Sequence, residues 1–362
     1  MRFKKLSLLM TICVFSIVCI LVINCSDDDN PASPKQYGWS ALGAGVDGSV
    51  FNLTVYDNRL IAGGFFTTAG GVSANNIAAW GGSSWGALWT GTNNSVYALA
   101  VYNNLGSVLI AGGSFTTAGG GNGNRIAAWN GSSWISIGAG MNNYVFCLTV
   151  FDNKLIAGGF FTTAGTVSAN HIAAWDGSFW TFLGTGMNDD VLALTVYDNK
   201  LIAGGFFSTA GGVTANKIAA WDGSSWAPLG TGMNEGVKAL AVFDNKLIAG
   251  GDFTTAGGAS ADHIAVWDGS SWAPLGTGVT GCVGVLTVFD NKLIVGGSFT
   301  TAGGVNASRI ATWDGSSWAP LGTGLNDEVN ALTVFNNRLI AGGRFTTAGG
   351  DTANGIAAWG VQ

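Results

Sequence analysis

Residues 191–229 read VLALTVYDNKLIAGGFFSTAGGVTANKIAAWDGSSWAPL, and close variants of this stretch recur along the chain. One tryptophan series repeats every 46 residues, with a single interval of 49, at Trp80, Trp129, Trp175, Trp221, Trp267, Trp313 and Trp359. A second series keeps the same rhythm at Trp39, Trp85, Trp134, Trp180, Trp226, Trp272 and Trp318. A fixed period of roughly 20–50 residues indicates a solenoid, propeller or array. The chain therefore contains seven units of about 46 residues.

Each unit contains short apolar runs that we name strands A, B, C and D. Asp198 and Asn199 separate the first two runs, and Asx residues tolerate the positive φ of a tight hairpin turn. Glycine supplies 58 of 362 residues, which suits short strands joined by turns and predicts an all-β fold. In the quoted unit the expected strands are Val191–Tyr197, Leu201–Phe206, Lys217–Trp221 and Ser225–Leu229.

The runs LIAGG and IAAW do not alternate between polar and apolar residues, so both faces of each sheet should be buried. Blades stacked around an axis bury both faces. Pro228, Pro274 and Pro320 all fall in strand D, and proline within a sheet is confined to edges. Strand D should therefore be the outermost strand of each blade.

The phase of the repeat predicts how the ring closes. The chain enters at Trp39 with a strand D and leaves at Trp359 with a strand C, so neither end makes a complete blade. We expect Ala41 and Leu42 to supply strand D to the strands of residues 329–359, which hides two sheet edges. The fold class is then all-β, a closed seven-bladed β-propeller of four-stranded blades. An open solenoid is the alternative, but its terminal units would need polar caps.

The first residues have the composition of a targeting segment, with a basic flank at Arg2, Lys4 and Lys5 and an apolar run over residues 6–23. Cys25 ends this run and precedes SDDD, which resembles a bacterial lipoprotein signal with an acidic export tag. The resemblance implies lipid attachment at Cys25. Asn24 stands where Gly, Ala or Ser is usual, so a cleaved signal and an uncleaved anchor remain alternatives.

All three interpretations of the N-terminus place the rest of the chain outside the cytoplasm, as an outer-membrane or surface lipoprotein if Cys25 is lipidated. The expected domains are a targeting segment at 1–25, a polar linker at 26–37 and the propeller at 38–362. Without the targeting segment, 12 basic and 21 acidic residues remain, a net charge of −9 that disfavours nucleic-acid binding. Cys147 and Cys282 lie in distant repeats and are expected to be buried free thiols.

The phrases LIAGGFF and ANKIAAWDGSSW resemble the kelch repeat, in which apolar residues precede a glycine doublet and two spaced aromatics follow. The phrases GGxFTTAGG and WDGSSW are more similar to the kelch-like repeats of the Rax cortical polarity marker. Both resemblances imply a β-propeller. Trp221 stands where kelch repeats usually have Tyr, and nothing resembles the copper ligands of kelch-fold oxidases, so no cofactor is implied.

A catalytic site should appear as departures from the repeat, and no Ser-His-Asp set, phosphate loop or zinc spacing is found. The sequence therefore predicts a protein that is not an enzyme and has no metal site. His171 and His263 share a variable repeat position, where an exposed loop histidine is the expected state. The same position holds Asn76, Arg125, Lys217, Arg309 and Gly355.

The loops between strands D and A carry acidic departures from the repeat, and they share one end of the ring with the B–C loops. A carboxylate-rich rim could bind Ca²⁺ or cationic groups, or be a solvated surface. Phe65, Phe160 and Phe206 follow the glycine doublets and could form a binding patch or pack between blades. The candidate ligand-binding residues are Asp47, Asp189, Asp190, Glu235, Asp327 and Glu328.

The first hypothesis is a non-catalytic, surface-displayed module that binds a protein or glycan through its loop face. We expect it to act as a monomer and to meet the membrane only through its anchor. A divergent propeller enzyme acting on polysaccharide is a second hypothesis, with Asp189, Asp190 and Glu235 as acid and base. A structural spacer of the envelope is the third.

Overall fold

The computed structural model describes residues 36–104 and 106–361. It contains seven antiparallel four-stranded sheets, each with the strand order A, B, C, D, and this confirms the seven-bladed propeller. Strands A of neighbouring blades contact each other around the ring, so strand A is innermost and strand D outermost. The described residues include no helix of the length and apolarity needed to cross a membrane. The predicted targeting segment lies outside the described residues.

The strand bounds repeat from blade to blade. Strands A are Ser49–Tyr56, Val96–Tyr102, Val145–Phe151, Val191–Tyr197, Val237–Phe243, Val283–Phe289 and Val329–Phe335. Strands B are Arg59–Phe65, Val108–Gly113, Lys154–Gly159, Lys200–Gly205, Lys246–Gly251, Lys292–Gly297 and Arg338–Gly343. Strands C are Ile77–Trp80, Ile126–Trp129, Ile172–Trp175, Ile218–Trp221, Ile264–Trp267, Ile310–Trp313 and Ile356–Val361. Strands D of blades 1 to 6 are Trp85–Ala87, Trp134–Ser136, Trp180–Phe182, Trp226–Pro228, Trp272–Pro274 and Trp318–Pro320.

The N-terminal strand Tyr37–Ala41 completes blade 7 and confirms the closure of the ring. It pairs antiparallel with Ile356–Val361 in a register that sets Trp39 opposite Trp359. The strand begins at Tyr37, and Leu42 is buried just beyond its end. The Trp39 indole N–H also donates to the Leu321 carbonyl of blade 6, at 3.2 Å. Closure therefore ties the N-terminal strand to two blades.

The two tryptophan series hold neighbouring blades together. In blade 4 the indole N–H of Trp226 donates to the carbonyl of Leu183, at the end of blade 3, over 2.9 Å. Trp221 packs beside Trp226 with 5.3 Å between ring centroids. A buried indole stabilises a structure most when its N–H has a partner. The repeat therefore places an apolar wedge and a hydrogen bond at the boundary between blades.

The glycine doublet at the end of strand B is required by close packing. A Cβ on Gly204 would lie 2.5 Å from Val237 Cγ1 of the next blade. A Cβ on Gly205 would lie 1.9 Å from the carbonyl oxygen of Asp190. Neither position has room for a side chain, which explains why strand B ends in two glycines.

The turns follow the chemistry expected from the sequence. Asp198 and Asn199 have φ values of 49° and 55°, which confirms the tight A–B turn. In the C–D turn, Asp222 Oδ1 accepts the backbone N–H groups of Ser224 and Ser225, each at 2.8 Å. The B–C loop contains a short hairpin of two strands with two residues each, which the sequence did not indicate. In blade 4 these strands are Thr209–Ala210 and Val213–Thr214.

Candidate functional site

The channel mouth is lined by one residue from the start of every strand A. Each strand A has a β-bulge near its start, as between Val191 and Ala193, and the residue at the bulge lines a central cavity of about 290 Å³. A bulge re-aims a side chain relative to the regular pleat. The seven equivalent residues are Phe51, Tyr97, Phe146, Leu192, Lys238, Gly284 and Asn330.

This ring has an aromatic side formed by blades 1 to 3. Tyr97 lies between Phe51 and Phe146, with ring centroids 5.6 Å and 5.7 Å away. Tyr144, which immediately precedes strand A of blade 3, adds a fourth ring 6.3 Å from Phe146 and is 38% exposed. Phe160 lies next to Tyr144 at the loop end of blade 3, where its backbone N–H donates to the Tyr144 carbonyl at 2.9 Å. The aromatic cluster therefore extends from the channel as far as Tyr144, and the Phe160 ring lies beside His171, with 6.1 Å between ring centroids.

The remaining blades give the ring a polar side. Lys238 Nζ lies 2.7 Å from Asp252 Oδ2 and 3.5 Å from the Cys282 sulfur, which belongs to the next blade. Burial is the largest single effect and lowers the pKa of Lys238, but the hydrogen bonds and charge interactions with Asp252 and Cys282 together outweigh it and raise the lysine pKa. Asn330 adds an amide on this side, Gly284 adds no side chain, and Leu192 of blade 4 is apolar. The channel is thus apolar on one flank and hydrogen-bonding on the other.

The two described cysteines are free thiols, as predicted from the sequence, but they are half-buried where full burial was expected. Burial raises the pKa of Cys282 to about 11, and it also raises the pKa of Cys147. A thiol with a raised pKa is a poor nucleophile at neutral pH because the thiolate is the reactive form. Cys282 is therefore a neutral thiol beside Lys238 on the polar side of the ring.

At the variable repeat position that includes the histidines, the longer side chains turn back toward the protein. All seven residues there have φ between 62° and 69°, and the long side chains donate back to loop carbonyls, as Lys217 Nζ does to the Phe206 oxygen at 2.7 Å. His171 is buried, with Nδ1 3.0 Å from the Gly159 oxygen and 3.4 Å from Asp190. The expectation of an exposed loop histidine is therefore wrong for His171.

Asp47, one of the predicted ligand-binding residues, links its D–A loop to the B–C loop of the same blade by hydrogen bonds. Its Oδ1 accepts the backbone N–H groups of Thr67 and Thr68, each at 2.8 Å. Asn188 makes the same pair of bonds in blade 4, to Ser208 and Thr209. The Asp47 carboxylate is therefore occupied by the backbone of its own blade.

The other predicted acidic residues are distributed over three blades. Asp189, Glu235 and Asp327 are exposed on their D–A loops. Asp190 is half-buried beside His171, and burial raises its pKa. Glu328 lies 3.8 Å from Arg344. Within residues 36–104 and 106–361, no group of three or more His, Cys, Asp or Glu side chains is placed to hold a metal ion.

The phenylalanines after the glycine doublets do not share one environment. Phe65 and Phe160 are 61% and 48% exposed, so the interpretation that they pack between blades is wrong for both. Phe206 is half-buried against Gly236, where a Cβ would lie 2.3 Å from its ring. Tyr97, Tyr144 and Phe146 were not identified from the sequence, although aligning the seven units at the bulge residue of strand A groups the aromatic residues of this position in blades 1 to 3.

Comparison with known proteins supports the propeller. A family model described as a domain of unknown function (DUF5122) beta-propeller matches residues 290–311. No curated protein sequence matches the chain. The WD40 β-propeller domain of Doa1 is similar in structure, with a TM-score of 0.60 at 16% identity over 90% of this chain and 96% of that one.

Two further solved structures are similar in fold. The computationally designed Ika8 protein has a TM-score of 0.56 at 16% identity, over 90% of this chain and all of that one. The extracellular domain of a putative hybrid two-component system, BT4673 from B. thetaiotaomicron, has a TM-score of 0.59 at 11% identity. That match covers 89% of this chain and 40% of BT4673. At these identities the likeness concerns the fold, and the chain is a seven-bladed β-propeller.

Proposed function

We propose that the protein is a non-catalytic binding module, held outside the cytoplasm by a lipid on Cys25, and that it binds a glycan at the channel mouth. The observation that carries this proposal is the two-sided ring of strand A residues. Tyr97, Phe146 and Tyr144 offer flat apolar surfaces, and Lys238 and Asn330 offer hydrogen bonds across the cavity. A ligand site typically combines an apolar wall with a few placed polar groups.

A saccharide fits this combination because a sugar ring has an apolar face of C–H groups and a rim of hydroxyls. The apolar face can pack on an aromatic ring, while the hydroxyls exchange hydrogen bonds with side chains and backbone. Strand A is the inner edge of every sheet, so its N–H and C=O groups that face the channel have no partner strand and can form hydrogen bonds with a ligand. A cavity of about 290 Å³ is close to the lower limit for small-molecule pockets and suits the end of a glycan.

A protein ligand is the second candidate, and the exposed side chains of Phe65 and Phe160 favour it. Apolar groups on a loop face mark sites of protein association when they cluster. Such a partner would cover the loop face and need not enter the channel. The two candidates therefore differ in which aromatic residues matter.

The proposal of an extracytoplasmic, anchored protein rests on the targeting segment and on a fold-level likeness to an extracellular domain. Kinship with kelch-like and Rax-type repeats rests on the repeat phrases alone. The proposal of a non-catalytic role is supported by the engagement of the candidate acids, since Asp190 contacts His171 and Glu328 lies near Arg344. Glycoside cleavage would need two carboxyl groups about 5–9.5 Å apart across a bound sugar.

The test is a binding screen of the purified full chain against envelope and host glycans and proteins, with Ca²⁺ and with a chelator. The key variant is Tyr144→Ser with Phe146→Asn, because the same repeat positions already hold Ser95 and Asn330. The control is Tyr197→Phe at the far end of strand A, where blade 3 has Phe151. A second variant neutralises the exposed acids through Asp189→Asn and Asp327→Asn.

A glycan that binds wild-type protein and the Tyr197→Phe control, and is lost in the channel variant, would support the proposal. Loss only in a third variant, Phe65→Ser with Phe160→Ser, would favour a protein partner on the loop face; Ser114 and Ser298 already hold this repeat position. Loss only in the acidic variant, with dependence on Ca²⁺, would place the ligand on the acidic rim. Binding that ignores all of these variants would overturn the assignment of the site.

A further inference from the structure

A second cavity, of about 380 Å³, lies at the loop end of the ring between blades 1 and 2. Its walls come from the B–C loops of these two blades and from the D–A loop that joins them. Phe65 supplies an exposed aromatic ring, and the other wall residues are threonines, asparagines and glycines. Among the residues that the structure describes, none of those lining this cavity is charged, and none lines the channel mouth. We call it the neutral cavity.

Two side chains of the neutral cavity depart from the repeat. Asn76 is shorter than the Arg, His or Lys that five other blades have at its position, and Thr92 stands where the other six D–A loops have an apolar residue. Those apolar residues are Val46, Met141, Met187, Met233, Val279 and Leu325. The backbone is unchanged, because Thr92 N–H donates to the Asn75 carbonyl at 3.1 Å, as Met233 N–H does to Asn216 at 3.1 Å. The walls therefore carry two polar substitutions on the common backbone of the repeat.

These substitutions bury polar groups that retain hydrogen-bonding capacity. Asn76 and Thr92 are only 7% and 3% exposed. Asn76 Nδ2 donates to the Thr92 carbonyl, and Thr92 Oγ1 donates to the Asn94 carbonyl, each at 2.8 Å. Asn76 Oδ1 and Thr92 Oγ1 can still accept hydrogen bonds, and Asn94 Nδ2 can donate them. Buried polar groups destabilise a fold unless they are hydrogen-bonded, so a polar ligand is a natural partner for these atoms.

The same D–A loop also carries a strained residue. Trp89 directly precedes Thr90 of the cavity wall, has a φ of 58° and is exposed. The other six D–A loops have glycine at this position, as Gly184 and Gly230 do, each with a φ of 59°. An exposed tryptophan with positive φ costs stability, and such strain is concentrated at ligand-binding sites. This loop therefore differs from the others in ways that the fold does not require.

We propose that the neutral cavity binds an uncharged sugar unit, at a site separate from the channel mouth. The apolar C–H face of a pyranose ring fits Phe65. Its hydroxyls both donate and accept, which fits the mixed amide and hydroxyl groups of Asn76, Thr92 and Asn94. A charged ligand would lose solvation without meeting an opposite charge on these walls. The volume lies within the range of small-molecule pockets, and binding here does not require a ligand in the channel.

The experiment titrates the full chain with methyl glycosides of glucose, galactose, mannose and N-acetylglucosamine, followed by saturation-transfer NMR. A ligand of this size should bind with a Kd of about a millimolar. Methyl glucuronide is the charged comparator, and adenosine is an uncharged comparator that offers a planar base to Phe65. At least one neutral glycoside should bind about tenfold more tightly than either comparator.

The key variant is Asn76→Lys with Thr92→Met, which copies the pair Lys217 and Met233 of the next blade boundary but two. The backbone tolerates this pair, since φ is 67° at Lys217 and 62° at Asn76. The longer side chains should fill the cavity and weaken glycoside binding at least tenfold. Unchanged thermal unfolding checks that the fold is intact.

A second variant, Phe65→Ser, copies Ser114 and removes the apolar surface, so it should also weaken binding at least tenfold. The control is the channel variant Tyr144→Ser with Phe146→Asn, which should bind the glycoside as the wild type does. Loss in the two cavity variants alone would support this site, even if the glycan screen at the channel fails.

Four results would each overturn the proposal. The wild type binds no neutral glycoside at up to about ten times the expected Kd. Methyl glucuronide or adenosine binds as tightly as the neutral glycosides. Binding survives in both cavity variants. Binding is lost only in the channel variant, which would leave the proposed function at the channel mouth intact.

Discussion

Two single proline variants, at adjacent positions of the N-terminal strand, test the register of ring closure. In blade 4, Ala227 pairs with Ala220 at a bonded position, and Pro228 follows at a position whose N–H faces outward. Blade 7 repeats this pattern with Ser40 opposite Ala358 and Ala41 opposite Ala357. Ser40→Pro should therefore remove a ladder hydrogen bond, whereas Ala41→Pro should be tolerated.

The expected magnitude follows from the groups involved. Losing the Ser40 donor weakens the bonding of the buried Ala358 carbonyl, although Arg338 also donates to that oxygen at 3.2 Å. We expect Ser40→Pro to lower the free energy of unfolding by about 2–3 kcal/mol. For a domain of this size that is a fall in Tm of roughly 4 °C. Ala41→Pro should change Tm by less than about 1 °C.

Calorimetry and urea unfolding of both variants provide the assay. Ser40→Ala is the control that removes the hydroxyl contacted by Arg338 and keeps the backbone N–H. Equal effects of the two prolines would refute the register, and no effect of either would refute the contribution of the N-terminal strand to stability.

Four further variants test the repeat itself. Gly205→Ala should destabilise the chain by about 3 kcal/mol or more in urea unfolding, because its Cβ would meet a carbonyl at 1.9 Å, while Gly86→Ala, with open space around it, should be close to neutral. Trp89 is 66% exposed and has φ of 58° where other units have glycine, so Trp89→Gly should relieve strain and raise the free energy of unfolding by about 0.5–1 kcal/mol. Backbone hydrogen bonds from Ser271 and Ser270 lower the pKa of Asp268 from 3.8 to about 2. Its contribution is thus complete above pH 3.8 and lost as the pH falls through 2, and Asp268→Asn should reduce the fall in Tm over that window.

The sequence predicts the architecture well because the fold is built from local rules repeated seven times. Strand length, the Asp198–Asn199 turn and the edge position of Pro228 each follow from backbone chemistry that one unit reveals. The closure follows from the phase of the tryptophans. These features need no knowledge of how the blades meet.

The channel mouth could not be predicted in the same way, since its geometry depends on a bulge. One extra residue at the start of strand A shifts the pairing, so the apolar run alone does not reveal that Phe146 lines the channel. His171 shows the same limit, because a positive φ turns its ring inward toward Asp190. The hydrogen bonds of Asp47 were not evident either, because its carboxylate takes the role that an asparagine has in other blades.

The most direct test of the proposed function is hydrogen exchange of the full chain with and without the glycan selected by the screen. The account predicts protection at the starts of strands A in blades 1 to 3, around Tyr97 and Phe146, and at Lys238 across the channel. Exchange at the outer strands D should not change. Protection confined to the A–B and C–D turns, or to the outer wall, would contradict a ligand site at the channel mouth.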